Sequence, residues 1–329
     1  MEETSEVIHS DSLFGALSCA WSTLHGDDEL EALIEGFLKG EAPFVISSGF
    51  PFISDLLLFP KPLAPLTEII GAHEAKDEKK IKRAEFVSKD VFEWILSGEK
   101  PAESDWAFIY NGNKIAGIAS ATEMGLTGNK PSKTVFWKRQ EAPHVVLDRD
   151  NQSSSIYRVG DISFSKDTGF YFLADFRDSS IISKFDGAMR LLGDEGIGGE
   201  RSSGKGSFIF KRETVEIRTE NSINEDNNIN SNGGSLALLS LYHPTKNEVE
   251  LGLLMRSRYQ LITRRGWISS EGSRTLRKKT VRMISEGSII PKIGSLPRGA
   301  LVDVTPQEMK AHKVYANGLA LGVPMKVRS

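Results

Sequence analysis

The sequence predicts an α+β protein of two domains, on three observations. Its 329 residues exceed what one hydrophobic core usually organises. Apolar residues recur at helical spacing in some stretches and cluster as short β-like runs in others. An asparagine-rich stretch, Asn221–Gly234, has no aromatic residue and ends in Gly-Gly, so it reads as a linker. The expected domains are 1–230 and 231–329.

The elements follow in order. Ser10 and Asp11 can cap a helix running to about Leu24, with Leu13, Phe14, Leu17 and Trp21 on its apolar face. Asp27–Leu38 is a second helix, acidic in its first turn. Gly49–Pro65 holds Pro51, Pro60, Pro62 and Pro65 around the apolar run Leu56–Phe59, which predicts an ordered loop with one short strand. Lys76–Leu96 is a charged helical region ending at Gly98. Gly112–Lys133, rich in small residues, carries no clear signal. A strand is expected at His144–Leu147, and a hairpin from Ile156–Phe164 and Gly169–Phe176 around Ser165–Thr168. Ser180–Leu192 is a helix with Ile181, Ile182, Phe185, Met189 and Leu192 inward. A glycine-rich loop follows, left by a strand at Ser207–Phe210. Beyond the linker, strands are expected at Ser235–Tyr242, Val249–Met255 and Leu301–Val304, then a terminal segment Gly318–Val323.

Charge is distributed unevenly. The formal net charge is only −3. Yet Glu2–Glu41 holds ten acidic residues and one lysine, while Arg256–Arg282 holds nine basic residues and one acid, Glu271. Opposite ends suggest surfaces for different partners. Cys19 is the single cysteine, which excludes a disulfide framework and a thiolate metal cluster and fits a reducing cytosol. On the first helix near its apolar face, it is expected to be a core thiol. The N-terminus is acidic, unlike a signal peptide, and no apolar run is long enough to span a bilayer, so the expectation is a cytoplasmic protein with no membrane association.

Two segments carry binding chemistry. Gly193-Asp-Glu-Gly-Ile-Gly-Gly-Glu-Arg-Ser-Ser-Gly-Lys-Gly206 combines glycines, which let backbone N–H groups turn toward one anion, with the donors Arg201, Ser202, Ser203 and Lys205. Gly199–Lys205 matches the start of a P-loop, but Gly206 stands where a magnesium-binding hydroxyl belongs. The loop also follows a helix instead of a strand, which excludes a nucleotide triphosphatase. The plain alternative is a flexible connection. The basic tract comprises Arg256, Arg258, Arg264, Arg265, Arg274, Arg277, Lys278, Lys279 and Arg282, with Tyr259 and Trp267 among them. Such residues neutralise phosphates and stack on bases; a solvated charged hairpin is the alternative. The histidines His9, His25, His73, His144, His243 and His312 are scattered without metal-ligand spacing. His25 could serve as a general acid or base in RNA cleavage, against the plainer role of a charge at a helix C-terminus.

Taken together, the motifs resemble the RAMP-type subunit four of the type III-A (Csm) CRISPR effector complex. The matching pieces are Ile8-His-Ser-Asp-Ser-Leu-Phe14, Phe50-Pro51 with Phe59-Pro-Lys-Pro62, and His144-Val-Val-Leu-Asp-Arg149 with Ile156-Tyr-Arg-Val-Gly160. Gly196–Gly204, Arg264-Arg-Gly-Trp267, Arg277-Lys-Lys279, Glu286-Gly-Ser288, Val302-Asp-Val-Thr-Pro306 and Tyr315–Val323 complete the set, in family order and nearly end to end. The resemblance implies two ferredoxin-like (RRM-like) domains of the RAMP type, with the first strand of the N-terminal domain missing ahead of Glu2–Ser10. It implies a non-catalytic subunit that binds the 5′ tag of the guide RNA, without cofactor or small-molecule substrate. The implied protein partners are the large polymerase-like signature subunit and the adjacent backbone RAMP subunit. Carried over by position, the RNA-facing residues are Arg149, Tyr157, Gly198, Gly199, Arg201, Ser202, Ser203, Gly204, Lys205, Gly206, Arg264, Arg265, Trp267, Arg277, Lys278 and Lys279. The rival is a RAMP endoribonuclease that processes precursor guide RNA, with His25 or His9 as general acid or base.

Overall fold

The computed structural model describes residues 6–72, 74–125, 135–147, 154–198, 201, 204–218, 234–268, 276–295 and 297–326, and the backbone alone within 140–147, 154–159 and at 161. Helices α1 (Ser10–His25) and α2 (Asp27–Leu38) open the chain, followed by strands β1 (Phe44–Ile46), β2 (Phe50–Ile53) and β3 (Leu56–Pro60). Next come α3 (Leu66–Ile69), α4 (Ala75–Arg83), β4 (Phe86–Ser88), α5 (Lys89–Ser97), β5 (Trp106–Asn111) and β6 (Lys114–Ser120). Then follow β7 (Trp137–Leu147), β8 (Ser154–Phe164), β9 (Thr168–Tyr171), β10 (Ala174–Phe176) and α6 (Ile182–Glu195). The C-terminal part holds β11 (Ser235–Leu238), α7 (Lys246–Glu250), β12 (Leu261–Arg264), β13 (Val281–Ile284), β14 (Ile289–Pro291), β15 (Gly299–Asp303), β16 (Tyr315–Leu319) and β17 (Gly322–Met325). The mixture of helix and sheet is the predicted α+β class. The linker Asn221–Gly234 lies outside the described residues except for Gly234.

α1 forms where predicted, and Leu13, Phe14, Leu17 and Trp21 are all buried. Its start differs in mechanism. Ser10 does not cap it; the buried Ser10 hydroxyl accepts from the Leu241 backbone N–H at 3.0 Å, and the Ser10 N–H donates to the Ser48 hydroxyl at 2.8 Å. The helix is therefore fastened to the C-terminal part of the chain at its first residue. Gly26, at φ +93°, breaks α1 from α2 in a conformation that favours glycine.

Several expected elements are corrected. The Gly49–Pro65 loop holds two strands, and Pro51 and Pro60 stand inside them; β2 and β3 pair antiparallel around Ser54 and Asp55. The charged helical region is two helices split by β4, whose three residues are all buried between β3 and β6. β8 pairs along its whole length with β7, whereas β9 pairs with β2 and β10 with β1. The expected β8–β9 hairpin is absent for a simple reason: alternation marks a strand but not its partner. Val249–Met255 is not a strand. Thr245 and Glu248 make a reciprocal capping box that starts α7, and a 3₁₀ turn over Leu253–Arg256 follows. Among the described residues, Ser207–Phe210 has no strand partner, and residues 207–218 run without regular secondary structure.

The main sheet has the order β5-β6-β4-β3-β2-β9, with β4 and β6 parallel and the other pairs antiparallel. One core gathers Phe50, Phe59, Phe86, Phe92, Ile95 and Ile118, with Leu239 from beyond the linker. A second lies between α1, α2 and α6, around Phe14, Trp21, Phe37, Phe44 and Phe185, and takes in Leu301 and Leu319. Where the resemblance leaves the first strand missing, Ile8 pairs with Gly49 in an isolated bridge just ahead of α1; residues 1–5 lie outside the described residues.

Candidate nucleic-acid interface

The glycine-rich loop begins inside α6, which continues through Gly193 to Glu195. Two backbone bonds pinch its base: Phe208 N–H donates to Gly193 O and Ile197 N–H to Gly206 O, both at 3.0 Å. That pinch explains several of the glycines. A Cβ on Gly193 would stand 2.5 Å from the Phe208 carbonyl, and one on Gly206 only 2.1 Å from the Ile197 carbonyl. Gly193, Gly196 and Gly206 are thus glycines because two arms of chain touch, not because a phosphate approaches. Gly198 and Gly204 differ: both have positive φ, and a Cβ there would meet open space. Arg201 and Gly204 close a turn at the loop's outer end, through a Gly204 N–H to Arg201 O bond of 3.0 Å. Gly199, Ser202 and Ser203 lie outside the described residues, as does Arg149. Tyr157 is placed only through its backbone, opposite His144 in the β7–β8 ladder.

The basic tract is a β-hairpin. β12 and β13 pair antiparallel, and an isolated bridge joins Trp267 to Arg277 farther out. The Arg277 guanidinium lies 4.5 Å from the Trp267 ring centre, a cation–π stack that holds a half-exposed aromatic plane in place. The Lys278 N–H donates to Gly266 O, and the Lys279 N–H to Val304 O. Arg265, Arg277, Lys279 and Arg282 are exposed and Lys278 is half-buried. Arg264 has a different occupation. Its Nε and an Nη each donate to an Asp11 carboxylate oxygen at 2.9 Å, and it also reaches the Ser12 hydroxyl. This bidentate pair fastens the hairpin to the first turn of α1.

The loop and the hairpin, far apart in sequence, therefore meet over α1. They line one groove of about 5190 Å³ together with the exposed side of that helix. Cys19 marks the meeting point. It was expected in the core but is exposed on the groove side of α1. The groove walls, by desolvation, raise its thiol pKa above the ordinary value, while the Arg201 and Lys278 cations pull it down and Glu195 pushes it up. Lys313, from near the end of the chain, also lines the groove and pairs with Asp303 at 2.9 Å. Nothing in its sequence context pointed there.

The two histidines of the endoribonuclease reading are already engaged. His9 Nδ1 lies 2.9 Å from Glu286, which also accepts from the Ser48 hydroxyl, so His9 belongs to a partly buried polar knot. His25 Nε2 meets the Lys184 carbonyl at 3.1 Å, and its ring packs edge-on against Trp21. Among the described residues, no group of three or more His, Cys, Asp or Glu side chains is placed to hold a metal ion.

A family model described as the CRISPR Csm4 C-terminal domain matches residues 231–325. The CRISPR system Cms protein Csm4 of Thermococcus onnurineus is 30% identical over 335 residues, covering 97% of this chain and 93% of that protein. The chain belongs to the Csm4 family. The Methanocaldococcus jannaschii Csm4 is 26% identical across 98% of this chain and 92% of its own length. Among solved structures, a Csm3–Csm4 subcomplex of the type III-A CRISPR–Cas interference complex matches with a TM-score of 0.64 at 22% identity, covering 98% of this chain and 94% of the other. A Csm1–Csm4 cassette crystallised with cA4 matches with a TM-score of 0.59 at 23% identity, covering 98% and 92%. At these identities the likeness establishes the fold, which is the Csm4 RAMP fold.

Proposed function

We propose that this Csm4-family chain is a non-catalytic subunit of a type III-A CRISPR effector complex, and that it holds the 5′ tag of the guide RNA in the groove between the glycine-rich loop and the basic hairpin. The observation that carries the reading is that Arg201 of the loop and Lys278 of the hairpin line one groove with the Cys19 face of α1. Cations from two distant segments focused on one concave surface suit a flexible polyanion. The Trp267–Arg277 stack adds a plane on which an unpaired base can lie. Arg264 fixes the hairpin through Asp11 and so acts by positioning. The open flank at Gly198 and Gly204 leaves room for a ribose-phosphate backbone to approach. The engagement of His9 and His25 favours a scaffold over an endoribonuclease. The Csm3–Csm4 and Csm1–Csm4 assemblies of its structural relatives support contacts with a backbone RAMP subunit and with the large polymerase-like subunit. A cytoplasmic location fits this role, and among the described residues no helix is long and apolar enough to cross a membrane.

The test is co-purification of the tagged chain with its complex, followed by sequencing of bound RNA. RNAs sharing one 5′ tag are expected; random RNA would refute the reading. Replacing Arg201 and Lys278 by alanine should weaken tag binding and flatten the slope of log K against log salt by about 0.7 per lost phosphate contact. Unchanged affinity and slope would remove the groove from the account. Metal-independent cleavage of repeat RNA that is lost in His25→Ala would replace the scaffold with the nuclease.

A further inference from the structure

A third length of chain reaches the groove, and it belongs neither to the glycine-rich loop nor to the basic tract. Residues 311–315, which lead into β16, line the groove together with Lys278 and Lys279 of the hairpin. Backbone bonds fasten these segments side by side. The Lys279 N–H donates to Val304 O at 2.8 Å, and the Val304 N–H donates to Val314 O at 2.9 Å. The β15–β16 ladder then sorts the side chains by face. Val302 opposes Ala316, and both pack in a small core with Leu241 and Met283. Asp303 opposes Tyr315 one place along, so this pair faces the other way. Tyr315 packs on the second core, the one that holds α1. Lys313, two places before Tyr315, joins that face through its amine, which donates to Asp303.

The Lys313–Asp303 pair is unlike the Arg264–Asp11 clamp. Its side chains are 64% and 41% exposed, against 19% and 12% in the clamp. An ion pair that open to water adds little to the fold. Nor does Asp303 depend on it. The Thr305 N–H also donates to the carboxylate at 2.9 Å, and bonds from Thr305 do more than the amine to hold that carboxyl low. Asp303 is therefore a fixed anchor, and Lys313 is the partner that can turn. An ammonium carries three N–H donors. One meets Asp303, and among the described residues no acceptor meets the other two. We propose that Lys313 binds a phosphate of the guide tag, with Asp303 as the positioning residue that holds its amine at the groove, so that the RNA contacts the approach to β16 as well as the loop and the hairpin. This inference rests on the reading of the groove as the seat of the tag. It adds a cation that lies outside both basic segments of the sequence and differs from Arg264 in being left open to a ligand.

The test measures binding of the tag RNA to the full chain across a salt series, with the double variant Arg201→Ala, Lys278→Ala alongside. Lys313→Ala is expected to weaken binding about fivefold and to flatten the slope of log K against log salt by about 0.7, the signature of one lost phosphate contact. Lys313→Arg, which keeps the charge, should keep the wild-type slope. Unchanged affinity and slope in Lys313→Ala, while the double variant loses both, would overturn the role of Lys313 and leave the groove reading standing. Unchanged binding in both proteins would remove the groove reading, and this inference with it. Lys313→Ala combined with Asp303→Asn separates contact from structure, because it leaves no carboxylate unpaired. Its slope should stay flattened. A slope that returns to the wild-type value would show that Lys313 serves only to neutralise Asp303, and would overturn the proposal.

Discussion

Substituting Gly206 tests whether its absent side chain serves the loop's own closure. Gly206 sits at φ +80°, and an added Cβ would lie 2.1 Å from the Ile197 carbonyl oxygen. The left-handed conformation costs alanine about 1–2 kcal/mol. The clash forces the two arms apart and forfeits the Ile197 N–H to Gly206 O bond, worth about 1 kcal/mol. Gly206→Ala should therefore strain the closed loop by about 3 kcal/mol, which lowers its population about 100-fold. Gly204 is the control. It has a similar φ of +72° but open space around the added Cβ, so Gly204→Ala should cost only about 1–2 kcal/mol. Because the loop is a surface element, the strain is relieved by local opening and the melting temperature should barely move. Fluorescence anisotropy with tag RNA at fixed salt reads the effect. The expected result is a loss in Gly206→Ala approaching two orders of magnitude, with a much smaller loss in Gly204→Ala. Equal losses in the two variants would refute the assignment of Gly206 to backbone closure.

Further perturbations test the surrounding architecture. Asp11→Ala leaves the partly buried Arg264 without its carboxylate and should destabilise the fold by about 2 kcal/mol, read from urea unfolding; a wild-type midpoint would mean the pair does not fasten the hairpin. Bonds from Thr305, and then the Lys313 amine, hold the Asp303 carboxyl at about 2, below its ordinary 3.8. The stability it contributes is complete above pH 3.8 and is lost as pH falls toward 2, so Asp303→Asn should flatten the urea midpoint across that window. Cys19 reports on the convergence itself: removing Arg201 and Lys278 together leaves desolvation and Glu195 unopposed, raises the thiol pKa further, and should slow alkylation at pH 8. Faster alkylation, with the fold intact, would show that the two cations do not act on that thiol.

Much of the fold was legible where one element buries one stripe. α1, α2 and α6 lie close to where their apolar spacing put them, because a helix face is written locally. Strands were legible as runs and illegible as pairs. β8 and β9 follow one another across a plausible turn, yet the ladder joins β8 to β7 and β9 to β2. The choice is made by which edge each strand can reach once the helices are packed, and no local pattern encodes it. Helix misreading had a separate cause at Val249–Met255. An apolar run suggested a strand, but the Thr245–Glu248 capping box, which was in the sequence, decided for helix.

The candidate site shows why residue type was easier to read than residue role. Both cationic segments were visible as composition, but composition cannot tell a cation that is offered to a ligand from one spent on the fold. Arg264 and Lys278 belong to the same basic tract, yet Arg264 is clamped by Asp11 whereas Lys278 stands near Cys19. The glycines divide in the same way: Gly206 is required by a carbonyl 2.1 Å from where its Cβ would be, and Gly204 is not crowded at all. In both cases the deciding partner is distant in sequence or fixed only by the loop's closure. An acid on the first helical turn, Asp11, selects which arginine of a hairpin some 250 residues away is tied into the fold. The acidic N-terminal region, which suggested a separate docking surface, is thus also what orients the basic one.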